Sequence, residues 1–181
     1  MKRFPLMALA AACSLLAGCG GGGGGTPNPP TVPLGTFKSA TDRTTTSTAF
    51  TANVVGASAS GTTVQIYGDE RTGPATAFTS SHRLTFTLYG PVSAGSYAIS
   101  TTHASGTAQA VYVETANQNG TYVTTGEWHA TTGTIVVTTA DGSHIQGTFS
   151  FNATNAASAN VIHWTSGQFN VAYETPPPPQ G

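Results

Sequence analysis

The sequence predicts an all-β protein, an antiparallel β-sandwich of about 8–10 short strands. Three observations carry that expectation. Apolar and polar residues alternate with a period of two through most of the chain, the pattern of strands with one buried face. Glycine-containing turn pairs punctuate the alternating runs at short intervals. Only 7% of the 181 residues are charged, against about 25% in a typical soluble domain, and Thr, Ser, Gly and Asn carry the polar load instead. Threonine favours strands and stays soluble on their outer face.

The first element lies outside that domain. Met1-Lys2-Arg3 is a short positive run, and Phe4 to Leu16 is apolar but too short to cross a bilayer. With small Ala17 and Gly18 behind it, residues 1–18 have the layout of a secretory signal peptide. Leu16-Ala17-Gly18-Cys19 resembles the lipobox of bacterial lipoproteins. The resemblance implies cleavage before Cys19, a diacylglyceryl thioether on its sulfur and an acylated new N-terminus. Several acyl chains such as palmitate anchor stably where one binds only marginally. Gly20, standing where enteric-type sorting places an Asp to retain lipoproteins at the inner membrane, implies the outer membrane. The alternative is an ordinary signal peptide cut near Ala17, which leaves Cys19 as a free thiol.

Processing also settles the cysteines. Cys13 leaves with the signal peptide and Cys19 is consumed by lipid, so the mature domain is expected to have no disulfide and to rest on its core. Residues 19–34 form a tether, flexible through Gly20 to Gly25 and extended through Pro27, Pro29, Pro30 and Pro33. Residues 176–181, with four consecutive prolines, read as a disordered polyproline-like tail, or as a ligand for a proline-reading groove. The β-sandwich domain is placed at residues 35–175.

Within it, Phe50, Ala52 and Val54 alternate as one strand, then Val64 and Ile66, then Leu84, Phe86 and Leu88. Tyr97 and Ile99 follow, then Val111 and Val113, Ile135 and Val137, then Ile145, Phe149 and Phe151, and finally Phe169, Val171 and Tyr173. Clean alternation favours antiparallel sheets, because parallel strands are buried on both faces. Asn119-Gly120 and Asp141-Gly142 are expected as two-residue hairpin loops, and Ser166-Gly167 as a turn between segments around Val161 and Phe169. Ala94-Gly95 and Ala104-Ser105-Gly106 punctuate the middle.

Gly147-Thr148-Phe149-Ser150-Phe151, followed by Gly167-Gln168-Phe169-Asn170-Val171, resembles the C-terminal β module of a group of uncharacterised bacterial lipoproteins. The likeness implies an anchored β domain and brings no activity or catalytic residue. On the physical reading, Phe149 and Phe151 point inward, and Gly147 and Gly167 permit a bulge or tight turn.

Charge excludes one class of partner. In the mature chain Lys38, Arg43, Arg71 and Arg83 face seven acids, a net charge of −3, so no basic patch is available for nucleic acid. No cofactor or metal is expected, because His82, His103, His129, His144 and His163 contain no His-x-His pair. His144 is read as solvent-facing, and His163 as half-buried in phase with Val161. The Gly-x-Ser-x-Gly elbow is missing, and no catalytic residue is assigned. Glu127 and His129 share a strand face, with Trp128 on the other, and read as a surface pair. Asp69-Glu70-Arg71-Thr72-Gly73 reads as a charged loop with too few acids for calcium. The aromatics Tyr67, Tyr89, Tyr112, Tyr122, Trp128 and Trp164 include several out of phase with the core, and Trp128, Trp164, Tyr89 and Tyr112 make up the candidate ligand surface.

The expected role is a lipid-anchored, non-catalytic interaction or structural module of the cell envelope that docks to an envelope protein. A carbohydrate-binding sandwich that takes an envelope glycan is the alternative, and a hydrolase, which would need a pocket holding two convergent titratable groups, is the third reading.

Overall fold

In a computed structural model of the chain, residues 31–43, 48–74 and 77–174 are described below. The expected signal peptide, Cys19, most of the expected tether and the proline tail lie outside the described residues. Ten strands follow one another: β1 (Thr36–Thr41), β2 (Ala49–Thr51), β3 (Val54–Ser60), β4 (Thr63–Thr72), β5 (Ser80–Tyr89), β6 (Gly95–Ile99), β7 (Thr107–Gln118), β8 (Thr121–Ala140), β9 (His144–Thr154) and β10 (Val161–Ala172). No helix occurs among the described residues. The fold is all-β and sandwich-like, as the alternation predicts.

The two layers come from one open sheet, ordered β2-β1-β10-β9-β8-β6-β7-β5-β4-β3. All pairings are antiparallel except the short β6–β7 contact. The sheet folds over because β8 pairs with β7 along its first half and with β9 along its second. Three register shifts leave Thr125, Thr131 and Thr138 as extra residues on β8. Each bulge adds local twist and bends the strand. On the opposite edge the chain changes layers at Ala52–Asn53, so that β2 pairs with β1 while β3 pairs with β4. The run from Phe50 to Val54, expected as one strand, is therefore two strands in different layers. A single parallel bridge from Ala57 to Tyr173 joins the edge strand β3 to the residue just past β10.

The core fills the fold. Phe86, from β5, stands across from the aromatic residues of the other layer, with ring centroids 4.8 Å from Phe149, 5.4 Å from Phe37 and 6.0 Å from Phe151. Leu84, Leu88, Ile66, Ile135, Ile145, Phe169 and Val171 are fully buried around it. Gly167 allows this packing: a Cβ there would fall onto the Phe149 ring.

Four local expectations change. On β7 the buried residues are Ala108, Ala110 and Tyr112, while Val111 and Val113 are half-buried on the outer face. Small Ala110 sits opposite Phe86 and Ala108 opposite Leu88, leaving room for the larger rings of the core. Ser166-Gly167 is a bulge inside β10, with Ser166 at φ 53°, and not a turn. The bulge inverts the phase of β10, burying Ile162 and Trp164 and exposing Val161 and His163. Asp69 to Thr72 belong to β4, so the charged segment is strand up to Thr72. Asn119 and Gly120 both have positive φ, as a two-residue hairpin requires. The β8–β9 turn instead spans Asp141 to Ser143, held by Asp141 Oδ1 accepting from Ser143 N (2.8 Å) and His144 N (3.0 Å). The Ser143 hydroxyl, which donates to the same oxygen at 2.7 Å, together with these backbone bonds holds the Asp141 carboxyl well below the usual range.

Truncating Phe86 to Ala removes the ring on which both layers meet. The expected loss is about 3–5 kcal/mol, read as a lower urea midpoint; an unchanged midpoint would show that the core is centred elsewhere.

Candidate functional site

Four connections gather at one pole: β1–β2, β4–β5, the β7–β8 hairpin and β9–β10. The chain enters and leaves the domain at the other pole, where Asn170 Nδ2 donates to Val32 O (2.6 Å) and Tyr173 N to Ser143 O (3.1 Å). At the loop pole, alternation places Glu70, His82, Glu114 and Gly126 side by side across β4, β5, β7 and β8, facing inward. Arg43, just after β1, reaches down onto this row with its side chain 1% exposed.

Arg43 is held on several sides. Nη1 donates to Tyr112 Oη (3.0 Å), and Nη2 to Glu70 Oε2 (3.0 Å) and to Ala49 O (2.9 Å). His82 Nδ1 lies 3.3 Å from Nη1. The guanidinium stands over the rings of Phe50, Tyr112 and Trp164 at 5.3, 5.7 and 5.9 Å. Tyr112 Oη donates onward to Glu114 Oε1 (2.9 Å). Burial pushes the Tyr112 phenol far above its ordinary value, against the opposing pull of Arg43. Arg43 Nε and the indole nitrogens of Trp128 and Trp164 are buried without a hydrogen-bond partner among the described residues. Each such donor costs about 1–3 kcal/mol, so the cage depends on cation–π contact and charge-assisted bonds to offset them.

General acid–base chemistry needs a substrate atom within hydrogen-bond reach. With Tyr112 and Trp164 fully buried and Arg43 sealed between them, the cage acts as a clamp that ties the β1–β2 connection to three strands. Among the described residues no group of three or more His, Cys, Asp or Glu could hold a metal ion.

The surface around the clamp is open. Glu127 and His129 pair at 2.8 Å beside a hollow of about 410 Å³ that Thr124, Thr125 and Asn155 also line. His163 Nδ1 meets Asp42 Oδ2 at 2.5 Å, and both are more than half exposed. Burial raises the Asp42 carboxyl, but the hydrogen bonds and charge of His163 together outweigh it and hold the group below its usual value. Tyr122, Val123 and Val161, at 45%, 38% and 47% exposure, belong to the same pole. Phe78 stacks on Tyr122 at 4.3 Å, with Arg71 5.3 Å above Phe78.

The expected ligand surface does not form. Trp164 and Tyr112 are core residues, and Trp128 packs inward against Tyr112 at 5.4 Å. Of the four, Tyr89 lies on an outer face, stacked on His103 at 4.6 Å and donating to Gln109 Oε1 at 2.7 Å. Glu127 and His129 do share an outer face opposite Trp128, as alternation requires. The cage was missed, although a signal existed: Glu70 is in phase with Val64 and Ile66, and His82 with Leu84 and Phe86. A charge at an inward strand position calls for a buried partner.

Replacing Arg43 with Ala leaves Glu70, His82 and Tyr112 without their common partner. The expected loss is about 3 kcal/mol, the low end for breaking a buried pair because Glu70 is partly exposed, read by urea denaturation. The raised Tyr112 phenol contributes stability fully present below its unfolded value of about 10. That contribution is lost as pH rises from there through the folded value. Wild-type stability should therefore fall above about pH 10 more steeply than that of Tyr112→Phe, whose curve checks the assignment.

Neither the curated proteins nor the solved structures yielded a match to this chain. Residues 44–172 match a domain of unknown function, DUF6252, and this stretch covers nearly the whole sheet from β2 to β10. The chain belongs to the DUF6252 family.

Proposed function

We propose that this protein is a lipid-anchored, non-catalytic interaction module of the cell envelope, held at the outer membrane through Cys19, and that it docks a protein partner with its loop pole. The observation that carries the reading is the polarity of the domain. Val32 and Tyr173, near the two ends of the described domain, sit at one pole, and the Arg43 clamp fixes the β1–β2 connection at the other. Three of the five exposed large hydrophobic residues among the described ones, Tyr122, Val123 and Val161, belong to that clamped pole. Aromatic and aliphatic anchors beside exposed charged pairs make the composition of a protein-docking surface. A rigid display surface also loses less entropy on binding than a mobile one. The sequence features of residues 1–19 support the anchor: positive run, apolar run and lipobox fall in register.

Two measurements test this. Labelled palmitate should enter the wild-type chain and not Cys19→Ala; equal labelling of both removes the anchor. Cross-linking in intact cells should capture one dominant envelope protein, and Tyr122→Asp should abolish the capture while retaining the melting temperature. Capture that is indifferent to Tyr122 would move docking away from this pole.

A further inference from the structure

A second surface lies on the flank, away from both poles. The register places Val136, Thr148, Gln168, Lys38 and Thr51 in one row across β8, β9, β10, β1 and β2, all on the outer face. At about 4.8 Å between strands the row runs roughly 19 Å. Two shallow hollows, of about 290 and 260 Å³, lie along it and share Ser166 and Gln168. Hydroxyls from Thr134, Ser150 and Ser166 join the row's own polar groups, and Phe149 and Phe50 lie at the floor.

We propose that this flank binds an extended acidic glycan, a polysaccharide carrying uronate carboxylates, with Lys38 as the counter-charge. Hydroxyls and an amide side by side along an elongated groove match a polyhydroxylated chain, each group able both to donate and to accept. Ser166 holds a left-handed backbone at φ 53° that few non-glycine residues adopt. Such conformations gather at ligand sites because the surrounding structure must hold them, and here the bulge sets the Ser166 hydroxyl between the two hollows.

Charge selects the acidic class. No carboxylate lines either hollow. Asp42, Asp69, Glu70, Glu127 and Asp141 pair with His or Arg elsewhere, while Glu114 and Glu174 accept from Tyr112 and Tyr67. Among the cations Arg43 and Arg71 are in ion pairs and Arg83 stacks on Tyr67 at 4.2 Å. Lys38, exposed beside Gln168, is the one cation among the described residues outside an ion pair or ring contact. The inference goes beyond the docking of a protein at the loop pole, and it can fail or hold without it.

The test titrates full-length Cys19→Ala protein, which carries no acyl chain to insert into a bilayer and needs no detergent, with polygalacturonate, with neutral dextran and with vesicles of phosphatidylglycerol, following heat or electrophoretic retardation. Saturable binding to polygalacturonate is expected, at least tenfold tighter than to dextran and weakening with salt. Lys38→Gln should weaken it about tenfold, the loss of one charge-assisted contact. Ser166→Gly, which relieves the backbone strain while deleting the hydroxyl, should weaken it several-fold without lowering the melting temperature. Failure to bind polygalacturonate, equal affinity for dextran, or an affinity unchanged in Lys38→Gln would overturn the proposal. Tighter binding to the vesicles than to the polysaccharide would overturn it in favour of a lipid headgroup.

Discussion

One sheet has to supply both walls of the core, and β8 is the strand that must change walls. A regular strand cannot do this, because its inward positions keep one parity from end to end. The extra residue at Thr131 switches the parity of β8, so that Gly126 and Trp128 face inward before it and Ile135 and Val137 after it. The packing of Phe86 against Phe37, Phe149 and Phe151 follows from that switch, since the three partners belong to the layer that β8 enters in its second half. At the other edge the same problem is solved by a break: β2 ends at Thr51, β3 begins at Val54, and the chain crosses between layers. Both turns between layers are thus made by the chain itself, and β2 and β3 remain as the edges of the open sheet.

This constraint also explains which parts of the fold were legible in the sequence. Strand existence and class were readable, because alternation over four or more residues survives any arrangement of the strands. Phase was readable only between bulges. Carrying the parity of Phe169 and Val171 back along β10 puts Trp164 outside and His163 with Val161 inside; the bulge at Ser166 reverses both assignments. On β7 the failure has another cause. Valine outranks alanine in hydrophobicity, but the space beside Phe86 and Leu88 admits only a small residue, so volume decides where hydrophobicity does not. The aromatic ligand surface fell with these phases, since two of its four members, Tyr112 and Trp164, are among the largest fully buried side chains.

Arg43 shows what a chain with few charges does with them. A buried guanidinium must be repaid with partners on every side, and those here come from β4, β5 and β7 together with the rings of Phe50 and Trp164. The partners are 27, 39 and 69 positions away in sequence, so no local motif announces them. The bonds of the guanidinium tie the residue just after β1 to three strands at once, and removing one partner of such a cluster leaves an uncompensated buried charge. With no disulfide expected in the mature domain, a directional polar clamp is the means at hand for fixing one connection relative to three strands.

The two surfaces left open differ in kind, and the difference follows from their places in the fold. At the loop pole the strands end, and apolar side chains such as Tyr122 and Val161 stay about half exposed. Along the flank β8, β9, β10 and β1 are paired on both sides and β2 forms the edge, and their outward positions carry hydroxyls and an amide in a register fixed by backbone hydrogen bonds. A surface of the first kind suits an irregular partner that brings its own apolar groups. The second presents polar groups at a repeat of about 4.8 Å and suits a partner that itself repeats. Lys38 lies within that repeat, between Gln168 and Thr51, and this placement, more than its charge alone, makes the flank a surface for a polymer and not for an isolated anion.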